Sequence, residues 1–195
     1  MQVRLLRHTE NPEELVLFAM SKCYDSKPSL QSLRNAIKAG HTSLLEHVSF
    51  TWEIQGISRV VLAQLTRHRI SSFTVRSQRY CNETGTGYYQ PSADEMDDEA
   101  FWIYERYVEK AFEGYECLLE LGTRKEIARY LLPQAVDTEL VMTMNARELH
   151  DVFLPLRLSR RAQPEIRELA RLMLQDCCSA APGIFGSLED WEVAS

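Results

Sequence analysis

Apolar residues alternate most plainly at Val48, Phe50, Trp52 and Ile54, with a polar or charged residue between each pair. A period of two predicts a strand buried on one face, ending at Gly56. Elsewhere the period lengthens toward 3.6. Phe101, Tyr104, Val108, Phe112, Tyr115, Leu118 and Leu119 recur at steps of three and four, predicting a long amphipathic helix that Gly122 closes. A second helix is expected over 29–39, with Leu30, Leu33, Ala36 and Ile37 on one face and Gly40 as its stop. Pro12 with Glu13 and Glu14 marks a helix start running to about Met20. Ser58 is placed to cap a helix carrying Val60, Val61, Leu62 and Leu65, which runs into Arg67-His68-Arg69. Pro164 opens what reads as the last helix, with Ile166, Leu169, Met173 and Cys177 in line.

Shorter features fill the gaps. Residues 3–6 and 139–144 read as strands, and 71–80 as a strand or an extended loop. The stretch 81–98 is the longest irregular connection. Ser43 to Glu46, Thr123 to Glu126 and Asn145 to Glu148 each have capping-box spacing, and Pro133 ends the helix that the second one starts. Few strands among many helices, without βαβ alternation, predict an α+β fold: an antiparallel-type sheet packed with several long helices. No repeat or linker interrupts the chain, so 1–195 is expected to be a single domain.

Composition narrows the class. At 195 residues, 45% hydrophobic and 26% charged, the chain is ordinary globular protein with enough length for its own core. No apolar run approaches a membrane span, and the polar N-terminus does not read as a signal peptide. Cys23, Cys81, Cys117, Cys177 and Cys178 are odd in number and form no C-x-x-C pair. These features predict a reduced, cytoplasmic protein whose cysteines are small buried hydrophobes.

Charge changes the picture more than the net of −6 conveys. Of 22 basic residues 17 are arginine, and no acid falls between Ile54 and Asn82, where Arg59, Arg67, Arg69, Arg76 and Arg79 lie. An acidic protein with one arginine-rich stretch points to a local anion site and against an extended nucleic-acid face. A solvated arginine face with counter-charges supplied from elsewhere is the competing reading.

Arg7-His8-Thr9-Glu10 after a strand resembles the start of histidine phosphatases, but Thr9 replaces their glycine and a second histidine lacks context. His41 and His47 have no H-E-x-x-H spacing, so no metal site is expected. P-loop, Rossmann and nucleophile-elbow patterns are absent from the sequence. The strong feature is 64–80, where Arg67-His68-Arg69 at a helix end precedes an Arg76-Ser77-Gln78-Arg79 cluster. Brought together, they form a donor-rich pocket suited to phosphate or pyrophosphate.

At these residues the chain resembles the flavin-dependent thymidylate synthases. Their signature is Arg-His-Arg, seven residues, then Ser, continued by x-Arg-Tyr; here it is Arg67-His68-Arg69, Ser77 and Gln78-Arg79-Tyr80. Upstream, 41–47 is similar to the family's histidine-x-Ser/Thr-x-x-Glu-His segment. Downstream, 127–133 resembles its arginine-before-Leu-Pro helix, and 145–149, Leu156-Arg157 and Arg161-Ala162-Gln163 its closing block. The resemblance covers about 41–187.

It implies FAD bound at subunit interfaces of a homotetramer, with Ser43, Arg67, His68, Arg69, Val75, Asn145, Arg147 and either His150 or Asp151 facing the cofactor. It implies a dUMP site at Gln64, Arg67, Val75, Arg76, Ser77, Gln78, Arg79, Arg129 and Arg157, with Arg157 polarising the pyrimidine. The implied reaction is reductive methylation of dUMP by methylenetetrahydrofolate, with NADPH reducing the flavin and no cysteine nucleophile. The chain also departs from the family: Val75 stands where Glu or Gln is usual, Arg161 where some members have histidine. The segment before Arg157 is one residue longer. Counting from Asn145 favours Asp151 as the flavin-facing residue, and chemistry favours His150. A homologue turned to another pyrimidine reaction and a nucleotide- or RNA-binding module are the alternatives.

Overall fold

Four strands, β1 (Gln2–His8), β2 (Ser49–Ser58), β3 (Ser71–Val75) and β4 (Asp137–Asn145), form one antiparallel sheet in the order β1-β2-β4-β3. The chain is α+β, as its periodicity predicts. A computed structural model describes residues 1–25 and 27–192. Among them no helix is long and apolar enough to cross a membrane. The chain divides into two compact units, one of Met1–Ile54, Thr66–Phe73 and the chain from Val141 on, the other of Gln55–Leu65 and Thr74–Leu140.

In the first unit the alternating positions of β2 build the core. Val48, Phe50, Trp52 and Ile54 are all fully buried. Phe50 stacks on Trp52 at 5.5 Å and meets Phe185 edge-on at 5.8 Å. The indole N–H of Trp52 donates to Asp176 Oδ2 at 2.9 Å, satisfying the polar edge of a buried ring. Truncating such a side chain to alanine costs about 3–5 kcal/mol. Helices α1 (Pro12–Tyr24) and α2 (Leu30–Lys38) also belong to this unit. The first runs four residues beyond the expected Met20. The second begins with a reciprocal cap in which Ser29 Oγ accepts from the Ser32 amide at 3.2 Å.

Helix α3 (Arg59–Leu65) belongs to the second unit and starts on the predicted cap, Ser58 Oγ accepting from the Val61 amide at 3.2 Å. Gly56, just before it, has φ +67°, where a β-carbon would be strained, and the alternation of β2 breaks there. Helix α4 (Asp98–Glu120) buries Val108 and Tyr115. It closes at Gly122, where φ is +80° and the amides of Gly122 and Thr123 donate to the carbonyls of Leu119 and Leu118. A single turn, α5 (Lys125–Ala128), follows.

Back in the first unit come α6 (Ala146–Glu148), a π-helical turn (Leu149–Phe153), α7 (Leu154–Leu158) and α8 (Pro164–Ala180). Two short helices, α9 (Pro182–Phe185) and α10 (Leu188–Glu192), then follow, so the helix opened by Pro164 is not the last. Its predicted face holds: Ile166, Leu169, Met173 and Cys177 are fully buried. The π-helical turn joins α6 to α7, just ahead of the Phe153-to-Arg157 segment.

Three local expectations fail. Ser43 does not cap: it lies inside a 3-10 turn (Ser43–His47), where the Leu45 amide already donates to the Thr42 carbonyl. Thr123 does not cap either, since Arg124 precedes α5 and Glu126 pairs with Arg124 and Arg79. In both boxes an arginine takes the carboxylate that the backbone would have used. The cysteines are not uniformly buried: Cys177 is, while Cys23 and Cys117 are exposed and Cys81 and Cys178 half-buried.

Candidate functional site

In the first unit, His68 is the centre of a buried polar chain. Three residues past the end of α3, it is only 4% exposed, with its ring edge-on to Phe153 at 5.1 Å. Its Nδ1 lies 3.2 Å from Glu148 Oε1, and Arg157 Nε donates to its Nε2 at 3.1 Å. An arginine Nε–H only donates, so Nε2 must present a lone pair and the single ring proton sits on Nδ1. Burial holds the His68 pKa below its ordinary value; the Glu148 hydrogen bond pushes the other way, and the Arg157 charge adds to the lowering. Arg157 is itself lowered by burial and by the charge of Arg67. Asn145 caps α6, its Oδ1 accepting from the Glu148 amide at 2.8 Å, and so fixes where Glu148 stands.

A second chain in this unit runs beside it in sequence. Thr42 Oγ1 donates to Asp151 Oδ2 at 2.5 Å, and His150 Nδ1 donates to Asp151 Oδ1 at 2.8 Å. Arg147 pairs with Glu46 and reaches Asp151 at 3.5 Å. These hydrogen bonds, first that of Thr42, outweigh partial burial and hold the Asp151 carboxyl below its usual range. The 3-10 turn that carries Ser43 is thereby tied to α6 through Glu46 and Arg147. His150 also borders a cavity of about 850 Å³ with Arg34, Lys38, Phe185 and Trp191.

The second unit is arranged around a different acid. Glu83, 1% exposed, receives Arg76 Nε at 3.3 Å and Thr86 Oγ1 at 3.1 Å. Arg76 also donates to Glu139 Oε1 at 3.1 Å and to the Asn82 carbonyl at 3.1 Å. Each of its three guanidinium nitrogens therefore has a partner. Ser77 begins a turn in which its carbonyl accepts from the amides of Tyr80 and Cys81. Gln78 is buried, and Arg79 is half-exposed with Glu126 at 3.5 Å. Lys125 Nζ donates to the Tyr80 carbonyl at 2.9 Å, so α5 is fastened to this turn. Arg129 starts the 3-10 turn (Arg129–Leu131) directly after α5. Arg59 completes the group: its Nη1 is buried with no hydrogen-bond partner among the described residues. Burial and then the charge of Arg129 lower its pKa, while Glu83 raises it.

The residues singled out in the sequence thus fall into two sets. Ser43, Arg67, His68, Arg69, Asn145, Arg147, His150, Asp151 and Arg157 lie in the first unit; Gln64, Val75, Arg76, Ser77, Gln78, Arg79 and Arg129 in the second. Arg67 and Arg69 are exposed, and Val75 ends β3 half-buried. Residues not assigned to a ligand in the sequence carry much of the geometry: Thr42, Glu46 and Glu148 in one unit, Arg59, Glu83 and Glu139 in the other. Glu148 was signalled by its capping-box spacing from Asn145 and by its place in the 145–149 block, neither of which gave its side chain a partner. His8, of the phosphatase-like segment, turns its Nδ1 to the Thr9 carbonyl at 2.9 Å and stacks on Phe50 at 6.0 Å.

The comparisons with known proteins agree with one another. The family described as thymidylate synthase complementing protein matches residues 4–183. A flavin-dependent thymidylate synthase of Geobacter sulfurreducens is 39% identical over 200 residues, covering 95% of this chain and 85% of that protein. Its counterpart in Sulfurisphaera tokodaii is 39% identical over 198 residues, covering 95% and 76%. That of Pyrococcus abyssi is 38% identical over 191 residues, covering 90% and 78%.

Proposed function

The chain belongs to the thymidylate synthase complementing protein family, whose curated relatives are flavin-dependent thymidylate synthases, and from that premise we propose that it makes dTMP by reductive methylation of dUMP. In this reading methylenetetrahydrofolate supplies the carbon and NADPH the electrons, FAD is the bound cofactor, and 1–195 acts as one domain of a cytoplasmic homotetramer. The observation that carries it is Arg157 held by His68 of the Arg-His-Arg motif, two parts of the signature 89 residues apart in sequence.

The first unit's donor set fits a flavin. The exposed guanidinium groups of Arg67 and Arg69 offer positive charge to a pyrophosphate, and Asn145, Ser43 and the Arg147 N–H groups not taken by Glu46 and Asp151 add donors for it and for ring carbonyls. Burial first, and then the charge of Arg67, lower the Arg157 pKa, so the two guanidinium groups share one positive field. Bound there, the flavin supplies hydride chemistry that side chains cannot. His150 is the better candidate of the adjacent pair to face it, because Asp151 is already engaged by Thr42, His150 and Arg147. Val75 is left to contact ligands through backbone and an apolar side chain.

In the second unit, Arg59 with its unpartnered Nη1 and the neighbouring Arg129 are what a nucleotide phosphate would satisfy. Arg79, Ser77, Gln78 and Gln64 add donors for the same substrate. Arg76 serves that loop by anchoring it to Glu83 and Glu139. Arg157, in the first unit, is assigned the task of stabilising the enolate-like charge that makes C5 of the pyrimidine nucleophilic.

Two of the five thiols are poor nucleophiles, in keeping with a route that uses no cysteine. Burial pushes Cys177 well up and Cys178 up to about 11, so neither supplies thiolate at neutral pH. The test is tritium release from 5-labelled dUMP with methylenetetrahydrofolate, with and without NADPH, on protein whose flavin absorption has been recorded. Release that depends on both co-substrates is expected. A colourless protein with no release would defeat the reading.

A further inference from the structure

We propose that Glu148 is a positioning residue for Arg157, acting through His68: a buried carboxylate chooses the histidine tautomer that aims the guanidinium, without neutralising it. The proposal rests on the reading of Arg157 given above. Three groups are in line, with Glu148 Oε1 3.2 Å from His68 Nδ1 and His68 Nε2 3.1 Å from Arg157 Nε. Both the acid and the ring are withdrawn from water, at 9% and 4% side-chain exposure, so solvent does not stand in for a lost partner. The ring's tilt is set by Phe153. What remains to be decided is which nitrogen carries the proton.

Glu148 decides it. An ionised carboxylate only accepts, so it draws the proton to Nδ1 and leaves a lone pair at Nε2. Without that acceptor the proton is free to move to Nε2, where its N–H meets the Nε–H of Arg157. Two donors then face each other, and the guanidinium turns away. A direct Glu148–Arg157 contact would also have held the arginine, but it would have cancelled the charge the pyrimidine needs. Glu148 is itself held by its amide's bond to Asn145 Oδ1. The π-helical turn and α7 that follow carry the chain from Glu148 on to Arg157.

The test uses full-length protein as purified, labelled with 15N-histidine, together with steady-state tritium release. The wild-type His68 ring is expected to show the Nδ1–H pattern of a neutral imidazole. Glu148→Leu is expected to lose that pattern and to lower kcat about 10–100-fold, as when a group that fixes a histidine's tautomer is removed. Flavin content and dUMP affinity should change far less. Glu148→Gln, whose carboxamide oxygen still accepts from Nδ1–H, should recover most of the loss. A wild-type ring protonated at Nε2, or at both nitrogens, overturns the proposal whatever the variants do. So does a folded Glu148→Leu with unchanged kcat, or a Glu148→Gln as impaired as the leucine variant. Should Arg157→Ala keep its turnover while the ring remains Nδ1–H, the reading of Arg157 fails and the tautomer assignment stands.

Discussion

The two units each bury a carboxylate near arginines and use it in opposite ways. In the second, Glu83 meets Arg76 directly, and the pair, with Glu139, turns an arginine of the signature cluster into a structural tie. In the first, a histidine stands between Glu148 and Arg157, so the arginine is aimed by a neutral ring. Ion pairing satisfies a cation and removes it from chemistry; a hydrogen bond through imidazole orients it and leaves its charge. An arginine count in a sequence therefore overstates the charge available to a ligand. Each arginine must be sorted by the acid, or the intermediary, that it meets.

The contrast is sharpest at its extremes. Arg157→Ala should lower turnover by about 10²–10³-fold, the loss seen when one donor to a developing oxyanion is removed, while the melting temperature stays close to wild type. Tritium release and a thermal scan on the same sample measure both. Near-normal turnover would place Arg157 with Arg76 as a structural residue and erase the difference between the units.

Glu83→Ala should show the converse, a fold effect before any chemical one. Leaving Arg76 without its buried partner is expected to cost about 2–3 kcal/mol, below the ~3–5 kcal/mol of a fully buried pair because Arg76 is still 31% exposed and can turn to water. Urea unfolding gives the number. If stability is unchanged, Glu83 is not the anchor described here.

A smaller effect separates the units by pH. The folded pKa of His68 lies below its ordinary 6.5. Below that ordinary value the unfolded chain takes up a proton that the folded chain refuses, so this site makes stability fall as pH drops through about 6.5, levelling off below the folded pKa. Protonation there would also remove the lone pair that receives Arg157. Unfolding free energies at about pH 7.5 and about pH 5.5 should thus converge in His68→Asn relative to wild type, by up to about 1 kcal/mol. An identical pH difference in both proteins would show that His68 is not held neutral.

Least of all should follow from Cys81→Ala. The cysteine next to the signature turn is half-buried, and activity within about twofold of wild type is expected if no thiol attacks dUMP. A folded variant without activity would restore a nucleophilic cysteine.

Much of this was open to a reader of the chain alone. Alternation at Val48 to Ile54 and the spacing at Ile166 to Cys177 reported the buried faces, because one face of a strand or helix meets the core whatever the details of packing. Ser58, Asn145 and Gly122 reported helix ends, since capping needs only atoms three or four residues away. Order and spacing of the motifs reported the family. Where the reading failed, at Ser43 and Thr123, the local rule was intact but a distant competitor had taken the carboxylate: Arg147 for Glu46, Arg79 together with nearby Arg124 for Glu126. Glu148 shows the same limit in the other direction. Its spacing from Asn145 announced a cap, while its side chain faces His68, 80 positions earlier. Sequence determines patterns that a few neighbouring residues can satisfy among themselves. Which acid meets which base is decided by the tertiary fold, because charges separated along the chain come within hydrogen-bonding reach only after the backbone has placed them.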